Sequence, residues 1–250
     1  YTNVLQMADR LVFLRVLLKE IAKNHGMFIT FMPKPTIGDW RSGAHINFSL
    51  TSTANSKNIF EGKNGKFSDA AYHAVGGLIK HGTEITAVAC STVNSYNGLV
   101  PVVGGFEGGV HTWAPTQMAY GDNNRSCMLR LPQNRFCIEN RAADMCMNPY
   151  LSLALTTAAA LDGIKNKIDP GKPLNVNLYT LSPEEIKASK IKSLPRNLLE
   201  AIEELQHDDF AKEVLGESML NQFFAYKMDE WDRYHQAVSD WEVTEYLRLY

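Results

Sequence analysis

Cysteine is scarce: the 250 residues hold four, Cys90, Cys127, Cys137 and Cys146, with no CxxC spacing. That excludes a disulfide framework and the usual structural zinc motifs, and reads as reduced thiols in a cytosolic protein. No run approaches the ~18 uncharged apolar residues of a membrane span, and Tyr1-Thr2-Asn3-Val4 lacks the layout of a signal peptide, so no membrane partner is expected. Charge of one sign is missing too. Lys and Arg number 25 against 27 Asp and Glu, a formal −2, so no global positive field exists to draw in nucleic acid, although a local basic pocket is compatible with that balance. What is present is ordinary, 45% hydrophobic and 21% charged, enough for one large domain with a real core. The first residue is not methionine and the chain opens almost inside an amphipathic pattern, which reads as a fragment of a longer protein.

Leu5, Ala8, Leu11, Val12, Val16, Leu18 and Ala22 recur at helical spacing, and Asn24-His25-Gly26 supplies the stop, so a helix is expected to about residue 24. Met27 to Met32 and His45 to Leu50 read as two strands flanking a turn-rich loop with Gly38-Asp39-Trp40-Arg41-Ser42-Gly43. A helix over about Ser68 to Lys80 follows. The stretch from Gly98 to Gly109 is too irregular for mere connection and reads as functional. Asn124 to Leu131 and Arg135 to Arg141 read as a hairpin-like strand pair. Asn148-Pro149-Tyr150 opens a long small-residue helix ending near Gly163, and Ser182 to Tyr250 is helical and amphipathic.

Two features carry chemistry. Arg125, Arg130, Glu139 and Arg141 sit in otherwise apolar strands, where burial is costly unless they meet one another, anions or metal. Structural salt bridges are one reading. The other is a phosphate and carboxylate clamp with Glu139 ligating a divalent cation. His45 alone on a strand would ordinarily be a satisfied core or surface histidine, but Gly38-Asp39 and Ser42-Gly43 before it let backbone approach a ligand closely. The other histidines form no HxxxH pair, and His111 is the one of interest.

These residues resemble a known family. Met32-Pro33-Lys34-Pro35, Gly38-Asp39, Ser42-Gly43, His45 and Ser49-Leu50 are similar to the MPKPxxGDxxSGxHxxxSL segment of glutamine synthetases. Asn94-Ser95-Tyr96 resembles their NSY motif, and Asn124-Arg125-Ser126 with Arg130 and Pro132 their NRSxxxRxP motif. Glu139, Arg141, Asp144 and Asn148-Pro149-Tyr150 resemble their RxExRxxDxxxNPY segment, continued by Leu161-Asp162-Gly163. The resemblance implies an α+β catalytic domain over residues 1–250, a curved antiparallel sheet with flanking helices. It further implies an ATP-dependent carbon–nitrogen ligase using Mg²⁺ or Mn²⁺ and working through a γ-glutamyl phosphate. His45 and Glu139 would hold the metal bridging the ATP phosphates. Asn47 and Ser49 would face the nucleotide, although the family usually has histidine at Asn47. Arg125 and Arg130 would take phosphate charge, and Arg141 would lie nearest the transferring phosphate and the substrate carboxylate. The family's other metal ligands lie upstream, its N-terminal β-grasp domain contributes to the neighbouring subunit's site, and its rings of six stack in pairs. The 250 residues are therefore expected to hold half a metal site and little activity alone, with a ring-based dodecamer for the intact protein.

Three departures fall on the amino-acid site. Trp40-Arg41 stands where the family has Asn-Gly, and Asn97-Gly98 replaces the arginine of NSYKRL that grips a glutamate carboxylate. Arg41 is the candidate to restore the charge lost at Gly98. The third departure puts Trp113 in the place of the flap glutamate of Glu-Ala-Pro, with Glu107 the one acid able to loop back. Ammonium must lose a proton before it attacks, whereas an aniline-like amine arrives neutral and offers an apolar face that Trp113 could stack on. The substrates expected are thus glutamate and an aromatic or alkyl amine, with ammonia the first rival; a non-catalytic relative and a kinase of a small acid are the others. Asn177-Leu178-Tyr179 resembles the segment bearing the adenylylated tyrosine of some bacterial members, but without its following acid and proline Tyr179 reads as an ordinary surface-loop residue.

Overall fold

The computed structural model describes residues 2–36, 40–99, 114–189 and 191–250. Local signals set the helices. The first, α1 (Val4–Asn24), starts where the Asn3 side chain accepts from Gln6 N–H and ends at Gly26, whose φ of +66° a β-carbon would oppose. Ser68 caps α2 (Asp69–Lys80), which turns directly into α3 (Gly82–Ala89); α4 (Val93–Tyr96) is a single turn held by a capping box. Asn148 caps α5 (Pro149–Asn166), with proline in its first turn. The C-terminal part is helical throughout: α6 (Pro183–Ala188), α7 (Leu198–His207), α8 (Asp209–Leu215), α9 (Glu217–His235) and α10 (Asp240–Tyr246).

Among the described residues there are four strands of three residues, β1 (Ile46–Phe48), β2 (Tyr120–Asp122), β3 (Leu129–Leu131) and β4 (Ile138–Asn140), in the order β1-β4-β3-β2. The expected hairpin is β3–β4, and β4 also pairs antiparallel with β1. The sheet is not wholly antiparallel, because β2 joins β3 in parallel, Tyr120 opposite Leu129 and Asp122 opposite Leu131. A parallel return normally needs a long crossover. Strands this short need only about 7 Å of return, and residues 123–128, turning at Asn123 (φ +56°), supply it. The α+β class holds, with a mixed sheet.

Met27–Met32 forms no strand. Met27 is 62% and Phe28 92% exposed, and the Met32 N–H is satisfied locally by Thr30 Oγ1, so β-propensity there meets no partner ladder. The core lies on the other side of the sheet, where Phe48, Leu129, Leu131 and Ile138 pack with α2, α3, α5 and α7. The α2–α5 contact is the tightest: a β-carbon at Gly77 would stand 2.0 Å from the Ala159 carbonyl, and one at Gly163 2.1 Å from that of His73. Glycine at both places lets two helix backbones touch and fixes the platform under the sheet.

Candidate active site

Strand alternation builds the site. Glu139 of β4 lies opposite Asn47 of β1 on one side and Arg130 of β3 on the other. Residues two apart on a strand share a face. His45, Asn47 and Ser49 therefore line up with Arg130, Cys137, Glu139 and Arg141, while Ile46, Phe48, Leu129 and Ile138 enter the core from the same strands.

Glu139, 4% exposed, is the hub of that face. Its Oε2 accepts from Arg130 Nη1 at 2.6 Å, and its Oε1 from Arg141 Nη1 at 2.7 Å and from His45 Nδ1 at 3.1 Å. Burial alone would raise the carboxyl, but the hydrogen bonds from His45 and Arg130 and the charge of Arg141 outweigh it and bring the pKa down to about 2. Arg130 is also anchored by the Asn123 amide oxygen, and Arg141 Nε donates to the Arg125 backbone carbonyl at 3.0 Å. The Arg125 side chain itself is exposed and makes no ion pair among the described residues. The resemblance assigns it phosphate charge with Arg130 and Arg141; in the fold its backbone carbonyl orients Arg141 and its side chain is open to a ligand.

A carboxylate only accepts, so His45 Nδ1 donates to Glu139, and Nε2 is the ring nitrogen left to meet a ligand. A β-carbon at Gly43 would stand 3.2 Å from that Nε2. Glycine there keeps the nitrogen approachable. An available imidazole nitrogen beside a carboxylate fits a divalent cation, and His45 and Glu139 are the side chains that would hold it. Among the described residues no third His, Cys, Asp or Glu completes such a group, so the pair supplies two ligands.

Along β1 from His45, Asn47 accepts from Arg135 Nη2 at 2.8 Å, and Ser49 lines the same cleft of about 1070 Å³ that lies between β1 and the start of α1. On the far side Trp40 is half exposed and Arg41 turns inward. The Arg41 side chain is 4% exposed; Nη2 lies 3.2 Å from Asp144 and donates to the Ala142 carbonyl at 2.8 Å. Its stem fills the space over Gly98, where a β-carbon would stand 2.5 Å from Arg41 Cδ. The exchange inferred from sequence is thus physical, since residues 41 and 98 compete for one volume, but the Arg41 charge goes to Asp144 and not to a solvent-facing pocket. Glu107, His111 and Trp113 lie outside the described residues. Tyr179 is no ordinary surface residue: it is half-buried, its hydroxyl donates to the Ala114 carbonyl at 2.9 Å, and burial pushes its pKa up to about 12. Sequence reasoning passed over Asn123 and Arg135; their one signal was a polar side chain flanking strands whose site-facing residues were already recognised.

No helix among the described residues is long and apolar enough to cross a membrane. The model of the glutamine synthetase catalytic domain matches residues 1–246. Glutamine synthetase of Methanosarcina mazei is 42% identical over 254 residues, covering 100% of this chain and 54% of that protein. Glutamate–methylamine ligase of Methyloversatilis universalis is 40% identical over 254 residues, covering 100% and 56%. A solved structure described as a GmaS/ADP complex superposes with a TM-score of 0.87 at 36% identity, over 99% of this chain and 56% of that one. The chain spans about half the length of the relatives it matches. With the motifs in order, the sheet in register and the match running almost end to end, the chain belongs to the glutamine synthetase family, of which it is the catalytic domain.

Proposed function

We propose that the full-length protein uses ATP to join an amine to the γ-carboxyl of glutamate. The observation that carries this is the gathering of two guanidiniums and an imidazole on Glu139, on a sheet face continuous with an open cleft. A carboxylate is a poor electrophile. Attack of a γ-carboxylate oxygen on the terminal phosphorus of ATP releases ADP and leaves an acyl phosphate; the amine nitrogen then attacks the acyl carbon, phosphate departs and the nitrogen loses a proton. Phosphoryl transfer spreads charge over the equatorial oxygens, so preorganised donors matter most. Arg141, buried and locked by Glu139 and the Arg125 carbonyl, is such a donor, and Arg130 is a second. A divalent cation held by His45 and Glu139 would add neutralisation of the phosphate oxygens.

An amine is favoured over ammonia by Trp113 in place of the flap acid and by likeness to a methylamine ligase. The ammonia reading rests on the glutamine synthetase of Methanosarcina mazei at similar identity. The test is ADP release by the full-length protein with glutamate and ammonium, methylamine, isopropylamine or aniline. Saturation by an organic amine at lower concentration than ammonium is the expected result; preference for ammonium selects the glutamine synthetase reading, and release independent of any amine discards both.

A further inference from the structure

Glu139 gathers Arg130 and Arg141, but further anchors of both arginines come from the short turn that carries the chain from β2 back to β3. Arg141 Nε donates to the Arg125 carbonyl at 3.0 Å, and Arg130 Nε and Nη2 both donate to the side-chain oxygen of Asn123, the first at 3.1 Å. Glu139 takes Arg130 only through Nη1, at 2.6 Å. A guanidinium held by one nitrogen can still turn about that bond. Asn123 grips the opposite edge, so the plane is pinned from two sides, and the donor that remains on each terminal nitrogen has a fixed direction. The amide oxygen is also a neutral acceptor. It aims the cation without bringing a second negative charge, which an aspartate in the same turn would do.

An exposed side chain can position another only if its own backbone is held, and this one is. Asn123 has φ +56°, a left-handed conformation that asparagine tolerates better than most residues with a side chain. Its N–H donates to the Leu131 carbonyl at 2.9 Å, which locks the turn to β3 one residue beyond Arg130. From the outside, residues 174–178 brace the same turn. The Asp122 N–H donates to Asn175 Oδ1 at 2.9 Å, Asn124 Nδ2 to the Leu174 and Val176 carbonyls at 2.7 and 2.8 Å, and the Leu178 N–H to Ser126 Oγ at 3.0 Å. The turn is therefore fixed to the sheet on one side and to a second segment on the other, the support that a precisely aimed donor needs.

Resting on the reading of Arg130 given above, we infer that Asn123 is a positioning residue of the active site: its amide holds the Arg130 guanidinium in the plane that meets the transferring phosphate. Asn123→Gly suits the same φ and removes the amide. In the full-length protein it is expected to lower kcat for ADP release about tenfold, with KM for glutamate and for the amine within about twofold and Tm little changed. Arg130→Gln costs more. Adding Asn123→Gly to that variant is expected to cost no more than about a further twofold, because the asparagine acts only through the arginine. Single losses that multiply in the double variant overturn the inference, as does wild-type kcat in Asn123→Gly beside a lowered kcat in Arg130→Gln. A fall in kcat with both KM values raised and Tm lowered marks a structural role and overturns it too. Wild-type kcat in Arg130→Gln discards the underlying reading of that arginine, which keeps the two failures apart.

Discussion

Two buried carboxylates behave oppositely. Glu139 on the sheet is 4% exposed and Glu84 in α3 is 9% exposed, yet the first is brought down to about 2 and the second is pushed up to about 7. Burial raises both. At Glu139 three nitrogen donors outweigh it, whereas Glu84 keeps one oxygen without a partner and faces further acids, Asp208 and Glu204, so that a backbone hydrogen bond and the charge of Lys192 do not offset its burial. Depth therefore does not make a site; the concentration of cations around one acid does. The linkage signs are opposite as well. The stabilisation from Glu139 is present above about 4.5 and lost as pH falls through about 2, while that from protonated Glu84 is present below about 4.5 and lost as pH rises through about 7.

Stripping the cation from the sheet site breaks the contrast most severely. Arg141→Gln leaves Glu139 with one guanidinium and the transferring phosphate with one donor fewer; kcat for ADP release by the full-length protein is expected to fall roughly 10²–10³-fold, measured under saturating ATP and glutamate. A change of less than about threefold would remove Arg141 from the chemistry. Overfilling the neighbouring ion pair comes next. In Gly98→Ala the new methyl meets Arg41 Cδ, and denaturant unfolding should show a loss of about 2–3 kcal/mol. The loss in the double variant with Arg41→Ala should be smaller than the sum of the two single losses, and strict additivity would refute the shared volume. The mildest change neutralises the other acid. Glu84→Gln is expected to raise stability by roughly 1–2 kcal/mol at pH 8 and to leave it nearly unchanged at pH 4.5, because the wild-type proton is already in place there. Equal effects at both pH values would show that Glu84 is not protonated in the fold.

Much of the scaffold was legible because its signals are local. Ser68, Asn148 and Ser182 mark helix starts by accepting backbone N–H groups within three residues, and all three do so in the fold. The helix α3 was not legible: every residue from Ile85 to Ala89 is buried, so no polar face marks its period. Strand β2 escaped for a different reason, since Tyr120-Gly121-Asp122 has no alternation and is extended only because β3 lies beside it. The Met27–Met32 run had the propensity and lacked the neighbour.

By itself the sequence determined which residues can share a face. Period two puts His45 with Asn47 and Glu139 with Arg141, and that was enough to name the charged cluster. Tertiary structure alone decided the partners: Glu139 against His45 across β1 and β4, Arg41 with Asp144 over the space left by Gly98, and Arg135 with Asn47, a hydrogen bond between residues 88 apart in the chain. Periodicity is a property of one strand or helix and can be read along it, whereas a pairing between distant side chains depends on how whole elements dock, on volume left over and on charge left uncancelled, none of which any single segment contains.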